Sequence, residues 1–296
     1  MAISESQLDT WSHQGSIQQS STTYQAVRTA LLDTRAVYKD KSFEIFLQGS
    51  YGNATNIYAE SDVDTVIRLD SIYGYDVSAL PPEQRSAFDQ AFSKATYAFS
   101  EFRTGVVTRL SNAFGQDNVV PGNKAIKIKP NGSRRSADVV VCYQHRRYTR
   151  FISSTDNDYV AGVTFPTTSS GVVINYPAQH SDNCTAKHQA SNKWFKPMVR
   201  IMKNMRSKLV DDGRISQGTA PSYYIEGMLW NVPLDKFGNS YANTFCNCLN
   251  WLLDTDRTKL TCANRQYWLL GESNVQWPSA NCNTFLNALV TLWNES

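Results

Sequence analysis

Three aspartates and a glycine-serine pair have the types and spacing to do chemistry. Asp62 and Asp64 flank a single valine. On an extended strand, i and i+2 side chains share one face, with Cα atoms roughly 6.5–7 Å apart. Two like charges so placed require a cation. A hard divalent ion such as Mg²⁺ takes carboxylate oxygens and completes its shell with water and phosphate. Two ions held about 3.5–4 Å apart would require a third carboxylate. Asp138 is the candidate, because it opens the apolar run Val139-Val140-Val141, where an ionised side chain is costly unless something binds it. An Asp-x-Asp pair alone is common on exposed strand edges. What gives this one weight is Gly49-Ser50, which follows the apolar run Phe43–Leu47 and precedes Asp62 by eleven residues. Glycine lets turn amides approach an anion closely, successive turn amides form a phosphate-sized concavity, and the Ser50 hydroxyl adds a donor.

The elements that must position these residues are legible as patterns. Residues 20–37 carry Tyr24, Val27, Ala30, Leu31 and Val37 at helical spacing. Residues 43–50 read as a strand ending in a turn, and 61–70 as a second strand rich in β-branched residues. Residues 86–110 read as one helix with Phe88, Phe92, Ala95 and Phe99 on a stripe. Strands are expected at 123–130, 135–148 and 171–177. Beyond about residue 180 the apolar spacing becomes helical throughout: 191–210, 221–232, 241–255 and 284–294. Lys196, Arg200 and Lys203 recur along the first of these helices. Lys196 and Arg200 are expected on a solvated face, whereas Lys203 is open between that and a ligand role. Lys187 is a further candidate cation, and His180 and His188 are expected to be surface or structural. Pro221 is placed to open a helix, so the amides of Ser222 and Tyr223 would point out of its N-terminus, a ready phosphate site. The Ser/Thr/Asn-rich stretch 167–183 is the expected boundary, dividing the chain into 1–180 and 181–296.

Composition narrows the function classes. A chain of 296 residues, 41% hydrophobic, can bury a substantial core. Its 29 basic and 26 acidic residues leave a net charge of only +3, too balanced for a nucleic-acid coat. No apolar run approaches a membrane span, and the start has no basic segment followed by an apolar block, so a cytoplasmic protein is expected. The six cysteines include no Cys-x-x-Cys and are read as buried thiols.

Gly49-Ser50 followed by Asp62-Val63-Asp64-Thr65 resembles the signature of the polymerase-β-like nucleotidyltransferases, with Gln48 inserted before the glycine and Thr65 in place of an apolar residue. With "ADVVVC", "NYP", "FKPMVRIMKNMR" and "APSYYIEGMLWNVP", nearly the whole chain is similar to the bacterial cGAS/DncV-like nucleotidyltransferases, above all to the clade that uses pyrimidines. The resemblance implies an α+β fold, a nucleotidyltransferase core of mixed sheet and helices packed against a C-terminal helical lobe. It implies an enzyme that joins nucleoside triphosphates, UTP and ATP here, into a uridine-containing cyclic dinucleotide such as cyclic di-UMP or cyclic UMP-AMP. The product would be an antiphage second messenger read by a separate effector, with no membrane or nucleic acid needed. Asp62, Asp64 and Asp138 match the triad that holds two Mg²⁺ ions, for which Mn²⁺ substitutes. Gly49 and Ser50 match the triphosphate turn. Lys203 matches a helix lysine on the donor triphosphate, Ser222 a triphosphate-binding serine, Tyr223 a base-stacking aromatic, and Asn175 a position that reads uracil. Two rivals stand beside this reading: a template-independent terminal nucleotidyltransferase making linear products, and an inactive nucleotide sensor.

Overall fold

A computed structural model describes residues 3–15, 17–58, 62–93, 95–132, 134–167 and 171–295. Seven strands form one mixed sheet among the described residues: β1 Phe43–Leu47, β2 Val63–Asp76, β3 Val119–Pro121, β4 Ile126–Ile128, β5 Ala137–Ser153, β6 Asp156–Thr167 and β7 Gly171–Asn175. Their order is β1-β2-β5-β4-β3, with β6 paired to β5 and β7 to β6. The β2–β5 pair is parallel and the others are antiparallel. The helices are α1 Glu5–Ser12, α2 Ile17–Leu31, α3 Gly49–Gly52, α4 Pro82–Ala91, α5 Phe99–Phe114, α6 Pro177–Ala190, α7 Phe195–Asp211, α8 Ser222–Asn231, α9 Tyr241–Asp254 and α10 Ser279–Glu295.

These elements gather into two compact units. Gln19–Gln48 and Asp62–Tyr176 form a unit that contains the whole sheet; Met1–Gln18, Gly49–Ser61 and Pro177–Ser296 form a helical unit. A contiguous division at residue 180 differs from this, because α1 packs on α7 and α9 and the chain after Leu47 is bonded to the C-terminal helices. The stretch 167–183 is built into elements on both sides of Tyr176, except residues 168–170, which lie outside the described residues.

In the sheet unit, β2 and β5 alternate in the manner of half-buried strands. Val63, Thr65, Ala137 and Val139 are all fully buried. The expected single helix over 86–110 is instead two helices, α4 and α5; Lys94, between them, lies outside the described residues. Phe92 leaves the helix in an extended conformation and joins Phe88 against Phe151, while Phe102 packs edge-on against Tyr38. The apolar run therefore serves two different partners, which one straight stripe does not reach.

In the helical unit, α7 presents Phe195, Met198, Val199, Met202, Met205 and Leu209 to a core completed by α8, α9 and α10. Pro197 falls in the first turn of α7, where its missing N–H costs no intrahelical bond. Five of the six cysteines are buried and Cys246 is half-buried, all as free thiols. No helix among the described residues is long and apolar enough to cross a membrane.

Candidate active site

The sheet sets Asp64 and Asp138 side by side. They are register partners in the parallel β2–β5 pair, so they share a face on strands about 4.8 Å apart. On the other flank of β5, Lys127 of β4 is the register partner of Asp138. The row Lys127–Asp138–Asp64 thus crosses three strands, opposite to the buried row Ile126–Val139–Thr65. Asp62 stands just before β2 rather than within it, 44% exposed, with Oδ2 3.8 Å from the Lys127 ammonium. Burial, then the negative charge of Asp62, pushes the Asp138 carboxyl above its ordinary value; Lys127 opposes this only in part. Asp62 and Asp138 are thus electrostatically coupled, and Asp64 is the register neighbour of Asp138. Thr65 is fully buried and its hydroxyl oxygen has no hydrogen-bond partner among the described residues. An unpaired buried hydroxyl costs about 1–3 kcal/mol, so Thr65→Val is expected to raise stability by about 1 kcal/mol without changing the row beside it. Thermal unfolding checks this, and a lower melting temperature would contradict it.

The corner after β1 belongs to the helical unit. Gly49 has φ +67°, in the left-handed region that glycine enters without strain, and starts the single turn α3. The chain then doubles back: Asn53 N–H donates to Gly49 O at 3.0 Å, and Thr55 N–H to Ser50 O at 2.8 Å. Ser222 begins α8, with Pro221 as the preceding cap residue. Tyr223 stacks on His180, with ring centroids 4.7 Å apart and planes 21° apart, and its hydroxyl accepts from Asn264 at 2.9 Å. Lys187 donates to the carbonyl of Val232 and lies 5.5 Å above the ring of Phe237. Lys203 is fully buried, its ammonium donating to Thr55 O at 2.9 Å. Asn175, in the sheet unit, ends β7, and its Oδ1 accepts from the Tyr176 N–H at 2.8 Å.

Comparisons with known proteins identify the family. Residues 182–294 match the model of the cGAS/DncV-like nucleotidyltransferase C-terminal helical domain. A cyclic UMP-AMP synthase of Rhodothermus marinus is 40% identical over 294 residues, covering 99% of this chain and 98% of the relative. The chain belongs to the cGAS/DncV-like nucleotidyltransferase family. A cyclic nucleotide synthase of Staphylococcus haemolyticus is 36% identical over the full length of both chains. The solved Rhodothermus synthase, with Apcpp and Upnpp, superposes at a TM-score of 0.88 over 99% of this chain and 97% of that one, at 39% identity. The Elizabethkingia meningoseptica cyclic dinucleotide synthase, solved with GTP and Apcpp, superposes at 0.73 over 99% and 98%, at 29% identity. This nucleotidyltransferase has the α+β fold of its family: a mixed sheet with helices, and a C-terminal helical domain.

The same geometry identifies residues that the pattern of the sequence does not. Arg200, expected on a solvated face, is half-buried; it donates to Ala54 O at 2.6 Å and to the carbonyl of Ser12, and burial pulls its pKa down to about 10. Glu226 is 2% exposed. Its Oε1 accepts from the Thr55 hydroxyl at 2.5 Å, and its Oε2 accepts from Asn53 at 3.1 Å and lies 2.6 Å from His180 Nε2. Burial alone would raise this carboxyl. The bond and charge of His180, with Lys203 and Thr55, hold it below its ordinary value. Ligating atoms of His180, Cys184 and Glu226 lie within 4.8 Å of one another. That cluster is a hydrogen-bonded core whose carboxylate oxygens already serve three donors. Asp62, Asp64 and Asp138 offer oxygen donors alone.

Proposed function

We propose that this nucleotidyltransferase joins UTP with ATP, or two UTP, into a 3′–5′-linked cyclic dinucleotide that serves as a second messenger for a separate effector. One observation carries the reading: Asp64 and Asp138 are neighbours on one sheet face, and Asp138 feels the charge of Asp62, in a chain similar end to end to a cyclic UMP-AMP synthase. Three carboxylates with no nitrogen or sulfur donor suit Mg²⁺, with Mn²⁺ as a substitute. When bound, the metal would supply positive charge for the α-phosphate and the departing pyrophosphate.

The protein's own groups do the rest. Asp138, whose raised pKa favours taking a proton, accepts it from the attacking 3′-hydroxyl. That oxygen bonds to the α-phosphorus of the second nucleotide as the α–β P–O bond breaks and pyrophosphate leaves. The same exchange, repeated on the linear intermediate, closes the ring. Gly49 and Ser50 hold triphosphate through turn amides and hydroxyl, and Ser222 holds it through the N-terminal amides of α8. Lys203 acts as a buried charge behind Thr55 rather than as a direct ligand. Lys187 and Tyr223 support from the positions given above. Asn175, with Oδ1 bonded to the backbone, presents amide N–H donors that match the carbonyl oxygens of uracil and oppose the amino group of adenine.

Incubation with pairs of labelled nucleoside triphosphates and Mg²⁺ tests the reading. A phosphatase-resistant product containing UMP, with pyrophosphate released, is expected. A linear phosphatase-sensitive ladder, or bound nucleotide without pyrophosphate release, would reject it. Asn175→Ser is expected to move incorporation from UTP toward ATP by about tenfold, since one mismatched buried polar contact is worth about 1–3 kcal/mol. An unchanged ratio in competition assays would remove Asn175 from base selection.

A further inference from the structure

The segment after the Gly49-Ser50 corner is held more firmly than a surface loop requires. Ala54 stands at φ +55°, a conformation that a residue with a side chain adopts only when its surroundings impose it. Those surroundings are specific. Arg200 takes the Ala54 carbonyl, Lys203 takes the Thr55 carbonyl, and the Gly15 N–H takes the Asn56 carbonyl at 3.0 Å. Gln14 takes the Asn56 side-chain oxygen at 2.7 Å. Thr55 is the crossing point. Its N–H closes the corner onto Ser50 O, its carbonyl receives Lys203, and its hydroxyl donates to Glu226. Glu226 also receives Asn53, whose N–H binds Gly49 O. Of the three backbone bonds that fold the corner back, the two accepted by Gly49 and Ser50 are made by residues whose side chains end on one buried carboxylate; the third runs from Ala54 N–H to Tyr51 O at 3.1 Å. Burial would raise that carboxyl; His180, Lys203 and Thr55 hold it below its ordinary value.

We propose that Glu226 is a positioning residue of the nucleotide site: through Asn53 and Thr55 it fixes the Gly49-Ser50 corner in the shape that receives a triphosphate. The inference rests on the assignment of that corner to triphosphate. It also accounts for the burial of Lys203, whose charge balances Glu226 and whose bond locks the Thr55 carbonyl.

The test uses the full chain, non-hydrolysable ATP and UTP analogues with Mg²⁺, and steady-state kinetics. Thr55→Val keeps the shape but removes the hydroxyl. It is expected to weaken analogue binding and raise KM by at least about tenfold, with a smaller change in kcat, as the loss of a charge-assisted buried bond implies. Thr55→Ser restores the hydroxyl and is expected to return both to within about twofold of the parent. Leu289→Ala, in the α10 core, is the control: it lowers the melting temperature and leaves analogue affinity unchanged. Should Thr55→Val not fold, Asn53→Ala removes the other donor and carries the same expectation. Binding and KM within twofold of the parent in the folded variant would overturn the proposal. So would an equal loss of affinity in Leu289→Ala. Ser50→Ala separates the two levels. If it weakens binding while Thr55→Val does not, this proposal alone fails; if it leaves binding intact, the assignment of the corner fails as well.

Discussion

Asp62→Ala combined with Asp64→Ala is expected to abolish cyclic product, by at least about a thousandfold, the scale lost when charge stabilisation at a phosphoryl centre is removed. The fold should persist. Asp62 is exposed and Asp64 lies on the outward row of β2, so neither substitution opens a core cavity. Asp138→Asn adds a readout independent of activity. Burial and the charge of Asp62 raise the Asp138 carboxyl above 3.8, so in metal-free protein its ionised form opposes folding. The penalty is absent in acid. It develops as pH rises from the ordinary value through the raised one. Metal-free Asp138→Asn should therefore melt at or above the temperature of the parent at pH 7 and lose that advantage in acid. Added Mg²⁺ should stabilise the parent more than the variant. Undiminished synthesis by the double variant would end the assignment of the triad.

The strand placement of Asp64 and Asp138 was legible because its logic is local. Period-two alternation places Asp64 outward, and the valines after Asp138 announce a strand. Only the pairing of β2 with β5, 74 positions apart at Asp64 and Asp138, needed the structure. The brace around Glu226 had no such signal. Its partners His180, Thr55 and Asn53 lie 46, 171 and 173 residues away in sequence. A glutamate on an apolar helix reads as polar decoration until those partners are known. Lys203 stayed open between a solvated face and a ligand role for the same reason, since the carbonyl and carboxylate that make its burial tolerable come from elsewhere in the chain. β6 was missed for another reason. Asp156, Asp158, Gly162 and Pro166 interrupt any alternation, and the strand exists because β5 and β7 pair on its two edges. Gly162 there is tight: a Cβ would stand 2.7 Å from the carbonyl oxygen of Asn175.

Trp277→Ala is expected to produce the largest loss of stability in the helical unit. The indole is fully buried, and its N–H donates to Thr219 O at 2.8 Å. Its ring lies parallel to that of Tyr224, with centroids 5.8 Å and planes 4° apart, and Phe285 packs at 6.2 Å. Truncating a buried tryptophan costs about 3–5 kcal/mol through lost transfer energy and the cavity that remains. The orphaned Thr219 carbonyl adds about 1 kcal/mol. Against a typical total of about 5–15 kcal/mol, this leaves the unit close to its threshold. Tyr224 stands two residues after Ser222, so the cavity opens directly behind the N-terminal turn of α8. Nucleotide binding should therefore fall with stability and recover on cooling, unlike a defect in the triad, which no temperature restores. Trp277→Phe retains most of the packing and loses the hydrogen bond, so about half the destabilisation is expected. Denaturant unfolding of the three proteins measures these differences. A Trp277→Ala loss under about 1 kcal/mol would mean that the cavity collapses and that the turn carrying Ser222 is supported from elsewhere.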